Sequence, residues 1–93
     1  MIITDNSLHS ITFTIAHPLG LHLRKSRDFV NVANQFDASI SVQNLSHGTL
    51  VADACSIIQL MQLQAREGHR MSIQAEGPDA EKALEALQNL LVS

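Results

Sequence analysis

The chain has 93 residues, 45% of them hydrophobic and 16% charged, with a net charge of −3. That length fits one domain, 1–93, with a modest core, and the apolar fraction is too high for a wholly disordered chain. An acidic balance with no Trp or Tyr and three Phe excludes the basic footprint and stacking platforms of a nucleic-acid binder.

No apolar run approaches the ~20 residues of a membrane span. The start, Met1-Ile2-Ile3-Thr4-Asp5-Asn6, lacks a basic signal region, so a cytoplasmic protein without membrane attachment is expected. The single cysteine, Cys55, allows no internal disulfide, which fits a reducing compartment and leaves packing alone to hold the fold.

Residues 1–9 read as a polar leader. Ile11, Phe13 and Ile15 then alternate with Ser10, Thr12, Thr14 and Ala16, the period of a half-buried strand. His17-Pro18-Leu19-Gly20 ends it in a turn. From about Leu23 the apolar residues Phe29, Val30, Ala33 and Phe36 recur at threes and fours, predicting an amphipathic helix to about Gln35. Ile40 and Val42 alternate with Ser39, Ser41 and Gln43; turn residues at 44–48 lead to a weaker strand at Thr49–Ala52, completing a hairpin. Ser56-Ile57-Ile58-Gln59 has the form of a capping box, predicting a short helix that starts at Ser56 and ends before Gly68. Cys55, beside this cap, is expected to be buried. Met71, Ile73 and Ala75 give a fourth strand. Pro78 is expected at the first position of a last helix, with Asp79 and Glu81 in its first turn and Ala80, Ala83, Leu84, Leu87, Leu90 and Leu91 as its apolar stripe. The order β-α-β-β-α-β-α, with every strand alternating, predicts an α+β open-faced sandwich, mostly antiparallel, with one face of the sheet covered.

Five histidines raise the question of a metal. His17 and His22 lie five apart across a turn, while His9, His47 and His69 sit in other segments. No pair has helical i, i+4 spacing or a neighbouring cysteine pair, so no metal site is expected and most of the histidines read as surface residues. The segment Leu19-Gly20-Leu21-His22-Leu23-Arg24-Lys25-Ser26-Arg27 is more informative. It places His22 at a helix N-terminus, where backbone N–H groups lack internal partners and form an anion site. Arg24, Lys25 and Arg27 add three cations against the positive end of the helix dipole, each unfavourable by roughly 0.3–1 kcal/mol when exposed. A phosphoryl group on His22 or an acidic partner surface would offset them. A solvated basic turn with His22 as an ordinary cap explains the same residues, and both readings stand at this level.

Leu19-Gly20-Leu21-His22-Leu23-Arg24 resembles the active-site segment of the HPr family, the histidine-containing phosphocarriers of the bacterial sugar phosphotransferase system. The resemblance runs from about Ile11 to Val92 and takes in Ser56, Gly68 and Ala75-Glu76-Gly77. It implies a four-stranded antiparallel sheet with three helices on one face. It implies a carrier without a cofactor, not an enzyme in its own right, that takes phosphate from enzyme I onto His22 Nδ1 and passes it to an enzyme IIA domain in sugar or nitrogen-related phosphotransfer. Arg24 would steady the phosphate. Leu23, Lys25, Arg27, Ile57, Ile58 and Met61 would form the docking surface, and Ser56 the regulatory site of a serine kinase and phosphorylase. Bottom-up, the capping role alone accounts for Ser56. A regulator governed by Ser56 phosphorylation with little phosphotransfer is the second reading.

The sequence departs from the family in three ways. Lys25 stands where the family has proline, Asn31, Asn34 and Gln59 replace frequent lysines, and Lys25 and Arg27 place charge elsewhere. Without the proline, Ser26 is the expected alternative cap, with Asp28 in the first turn and His22 left on a looser loop.

Overall fold

The computed structural model describes residues 8–48 and 50–92, the side chain of Val92 excepted. The elements are β1 (Leu8–Thr14), α1 (Leu23–Ala33), β2 (Ser39–Asn44), β3 (Val51–Asp53), α2 (Ile57–Gln62), β4 (Arg70–Glu76) and α3 (Ala80–Val92). The expected leader lies outside the described residues through residue 7, but its last two residues belong to β1, where Leu8 pairs with Glu76 and His9 with Ala75. Thr49 lies outside the described residues, and the third strand runs one residue past its expected end, to Asp53.

The strands form one antiparallel sheet in the order β1-β4-β2-β3. Because β1 and β2 both pair antiparallel with β4, they run parallel to each other with β4 between them. The register explains the alternation in the sequence. Ile11, Ile73, Val42 and Ala52 form a row across all four strands, and Phe13, Met71 and Asn44 form the next. On the other face Thr12, Ser72 and Gln43 make a polar row, as do Ser10, Gln74 and Ser41. A period of two puts one set inward and the other toward water.

The three helices cover the apolar face. α3 packs on β1 and β4, α2 on β3, and α1 on both other helices. Phe29, Leu60, Leu63, Met71, Ile73 and Leu87 are among the fully buried side chains. Pro78 lies in the turn ahead of α3 rather than at its first position. There Asp79 does the organising work: its carboxylate accepts the Asp37 N–H at 2.9 Å, and its own N–H donates to the Asp37 carbonyl at 3.1 Å.

One buried polar cluster fastens the edge of this core near the site. The amide of Asn44, 1% exposed, donates to the Leu63 carbonyl at 3.1 Å and meets His69 Nδ1 at 3.0 Å. His69 Nδ1 also accepts the Arg66 N–H at 3.2 Å, so the ring serves as an acceptor there and carries its proton on Nε2. His69 is thereby a structural residue holding the 63–69 connection to the sheet.

Phe29 joins α1 to this core with no exposed surface. Phe29→Ala should cost about 3–5 kcal/mol, through lost burial and the cavity left behind. Urea unfolding followed by circular dichroism measures it, and a loss below about 1 kcal/mol would show that α1 is held mainly by its loop contacts.

Candidate phosphoryl-accepting site

The site is built where the chain turns from β1 into α1. Beyond β1, the Ile15 N–H donates to the His69 carbonyl at 3.0 Å, and the Ile15 carbonyl accepts the Gly68 N–H at 2.9 Å. Five residues on, Gly20 has a left-handed φ of +64°, and its N–H closes a turn onto the His17 carbonyl at 2.9 Å. A Cβ at Gly20 would run into the Ala65 carbonyl oxygen and lie 2.7 Å from Arg66 Cα. Only glycine supplies both this conformation and this close approach. The next residue, Leu21, is buried and donates its N–H to that same Ala65 carbonyl at 3.0 Å. Backbone bonds therefore clamp both ends of residues 15–21 to the 65–69 connection, and His22 follows directly.

His22 is the N-cap of α1, with extended backbone (φ −78°, ψ 175°) and no capping hydrogen bond from its side chain. The first intrahelical bond runs from the Ser26 N–H to the His22 carbonyl at 2.8 Å. The N–H groups of Leu23 and Arg24 precede that bond and point out of the helix end. This corrects the expectation that Ser26 caps the helix. α1 starts one turn earlier, at Leu23, and Ser26 is fully buried, its hydroxyl 3.4 Å from both the Leu21 carbonyl and Met61 Sδ. His22 stands at the junction of the hydrogen-bonded loop and the helix, not on a loop outside the helix start.

His17, His22, Arg24, Lys25 and Asp28 line a surface depression of about 290 Å³, enough for a phosphoryl group with its water. The His17 and His22 rings face each other at 5.3 Å between centroids and 50° between planes. Arg24 and Asp28, one helical turn apart, bring opposite charges to the rim. Lys25 is in the first turn, and its Nζ donates to the Leu90 carbonyl at 3.0 Å. A cation against the last turn of α3 meets the negative end of that helix, so this lysine is favourably placed in spite of the N-terminal end of its own helix.

Most of the expected docking residues are exposed on α1 and α2. Leu23 and Ile58 are 63% and 73% exposed, Met61 is 39% exposed, and Leu19 adds a further exposed side chain. Met61 covers Ser26; Leu23 is one turn before that serine and the exposed Arg27 directly follows it. Ile57 is different: it is half-buried and packs against the core. Ser56 is half-buried and is the N-cap of α2, its hydroxyl accepting the Gln59 N–H at 3.2 Å. The reciprocal half of the expected capping box is absent, because Gln59 Oε1 accepts from the Asp53 N–H at 2.8 Å. Cys55 is exposed, contrary to expectation, with its thiol donating to Asn34 Oδ1 at 3.0 Å.

Over residues 9–93 the sequence matches the PTS-HPr family model, described as the PTS HPr component phosphorylation site. The chain belongs to the HPr family. It is 36% identical over 80 residues to the phosphocarrier protein HPr of Haloferax volcanii, covering 86% of this chain and 89% of that one. It is also 41% identical over 76 residues to the multiphosphoryl transfer protein of Haemophilus influenzae, where the match takes in 82% of this chain and 15% of the relative. The chain thus spans a small part of the multiphosphoryl transfer proteins it matches, 20% in the case of Vibrio cholerae. Among solved structures, HPr from Bacillus anthracis superposes with a TM-score of 0.84 at 32% identity, covering 92% of this chain and 99% of that one. The four-stranded antiparallel sheet with three helices is the architecture of this HPr-family member.

The structure brings His22, Arg24 and Lys25 together in one depression, while Leu23, Arg27, Ile58 and Met61 are exposed on α1 and α2. Ser56 is at the start of the next helix, outside the depression. Sequence reasoning passed over His17 and Asp28 as members of the site; the signal for His17 was its place at the start of the Pro-Leu-Gly turn that folds back before His22. Gly20→Ala should cost at least about 1–3 kcal/mol from the left-handed strain alone, and should move His22 because the Ala65 backbone must give way. Thermal unfolding, with the amide shifts of Leu21 to Arg24, measures both. An unchanged melting temperature and unchanged shifts would show that the clamp does not set the position of His22.

Proposed function

We propose that the chain is a phosphocarrier that accepts a phosphoryl group on His22 from an enzyme I and hands it to an enzyme IIA domain. The observation that carries this reading is the His22 ring: it sits at the N-cap of α1 without a capping bond of its own, in one depression with Arg24 and Lys25. An unengaged imidazole is available as a nucleophile. The helix N-terminus and the Arg24 guanidinium offer donors and positive charge to the phosphoryl oxygens that arrive with the new N–P bond.

Phosphoryl transfer needs in-line approach of donor and acceptor, with charge stabilisation around the moving group. A shallow exposed site suits a carrier, because the partner has to complete the surroundings of the phosphorus at each transfer. The apolar surface of Leu19, Leu23, Ile58 and Met61 gives that partner a patch to cover beside His22, and Arg27 on the same side selects an acidic rim. Lys25 contributes less to docking than the resemblance implies, since its ammonium is engaged at the end of α3. The pathway, through sugar or nitrogen-related phosphotransfer, follows from which IIA domain fits that patch.

The second reading makes the chain a regulator phosphorylated on Ser56 by a serine kinase. Its support is the family resemblance. The serine itself is accounted for by its bond to the Gln59 N–H, and the uncapped His22 ring favours the carrier.

Incubation with phosphoenolpyruvate and enzyme I, followed by intact mass and acid lability, tests the proposal. The wild-type chain should gain one acid-labile phosphate, and His22→Ala should gain none. Label retained by that variant would sink the assignment. In the same assay Arg24→Ala should lower onward transfer at least about tenfold, the scale of a lost charge-assisted hydrogen bond, while changing stability by less than about 1 kcal/mol, as expected of an exposed cation. A large fall in melting temperature with normal transfer would make Arg24 structural instead.

A further inference from the structure

His17 lies at the site yet has no part in the chemistry described so far. Its ring is fixed by a local bond: the Leu19 N–H donates to His17 Nδ1 at 3.1 Å. A nitrogen that accepts an N–H cannot carry a proton of its own, so the bond selects the tautomer with hydrogen on Nε2. The Pro18-Leu19 turn that supplies this donor is closed by the Gly20 N–H on the His17 carbonyl, and His17 is thus oriented by the same turn that positions His22. The two rings are 5.3 Å apart between centroids and line one depression with Arg24, Lys25 and Asp28. Of those neighbours, Lys25 is bonded to α3 and Asp28 is repulsive toward an anion. The depression therefore has Arg24 as the cation at its rim, with a pre-oriented imidazole beside it.

We propose that His17 is a positioning residue, whose Nε2–H donates a hydrogen bond to an oxygen of the phosphoryl group on His22. The inference rests on His22 being the acceptor. His17 makes no bond to phosphorus and neither gains nor loses a proton: the donor's bond to phosphorus breaks, the His22 N–P bond forms, and His17 keeps its hydrogen throughout. Its contribution is to hold the phosphorylated state against the unphosphorylated one, because the phosphoryl oxygens carry negative charge that the unphosphorylated His22 ring lacks. It also compensates for the opposing charge of Asp28.

The test is the equilibrium between phosphorylated enzyme I and this chain, measured for the wild type, His17→Phe and His17→Gln, with the ³¹P shift of the phosphohistidine as a second readout. His17→Phe keeps a ring against His22 and removes the donor, and should lower the phosphorylated-to-free ratio about tenfold. His17→Gln restores an N–H, and should recover most of the loss and return the ³¹P shift toward that of the wild type. Should His17→Phe fail to fold, His17→Ala is the donorless variant, and the same contrast with His17→Gln applies. Wild-type ratios in all variants would overturn the role of His17 alone. Equal losses in the donorless variant and in His17→Gln would also overturn it, by showing that ring packing is what matters. A wild-type chain that takes up no phosphate, or takes it up equally in His22→Ala, would overturn the His22 reading and this inference with it.

Discussion

The left-handed turn at Gly20 brings the chain ahead of α1 against the backbone of Ala65 and Arg66, and the geometry of the site depends on that approach. Two bonds at Ile15 and one at Leu21 join residues 15–21 to the 65–69 connection. The Asn44 amide and His69 hold that connection in turn. The position of His22 is therefore set by the sheet, through a chain of buried or backbone hydrogen bonds, and not by its own side chain. A catalytic or accepting group whose ring is unengaged in capping needs such support, since nothing local fixes it.

Charge in the first turn of α1 is distributed more favourably than the run Arg24-Lys25-Ser26-Arg27 suggests. Arg24 lines the depression with His22, Lys25 reaches the Leu90 carbonyl at the end of α3, and Arg27 is exposed beside the apolar patch. Each cation has a separate environment, so three like charges in one turn do not all weigh on one helix end. The Lys25 contact also changes the meaning of the missing proline. A proline there would restrict the unfolded chain, whereas lysine ties the start of α1 to the end of α3.

Much of this was legible in the sequence because the sheet alternates strictly and α3 carries an uninterrupted stripe, so local periods give the element order and the buried face. The site was legible through glycine and histidine two residues apart before a helical pattern. What was missed depends on contacts distant in the chain. Lys25 meets Leu90 across 65 residues, and Asn44 meets Leu63 and His69 across β3 and α2; no local period records either. Ser26 is a different case. With Phe29, Val30 and Ala33 it falls on the i, i+3, i+4, i+7 stripe, so its burial followed from spacing, but its small polar side chain drew attention to capping. Cys55 was misplaced because hydrophobic character suggests burial, while its position just before the α2 cap turns it outward.

Nitrogen-15 labelling of the five histidine rings, with phosphorus coupling read on the phosphorylated protein, tests most directly whether this chain is a carrier built around His22. The account predicts that one ring alone acquires a coupling to phosphorus, that it is His22, and that the resonances of His9, His47 and His69 hold their positions. Coupling at any other histidine, or a phosphorylated protein in which no ring nitrogen is coupled, would contradict it.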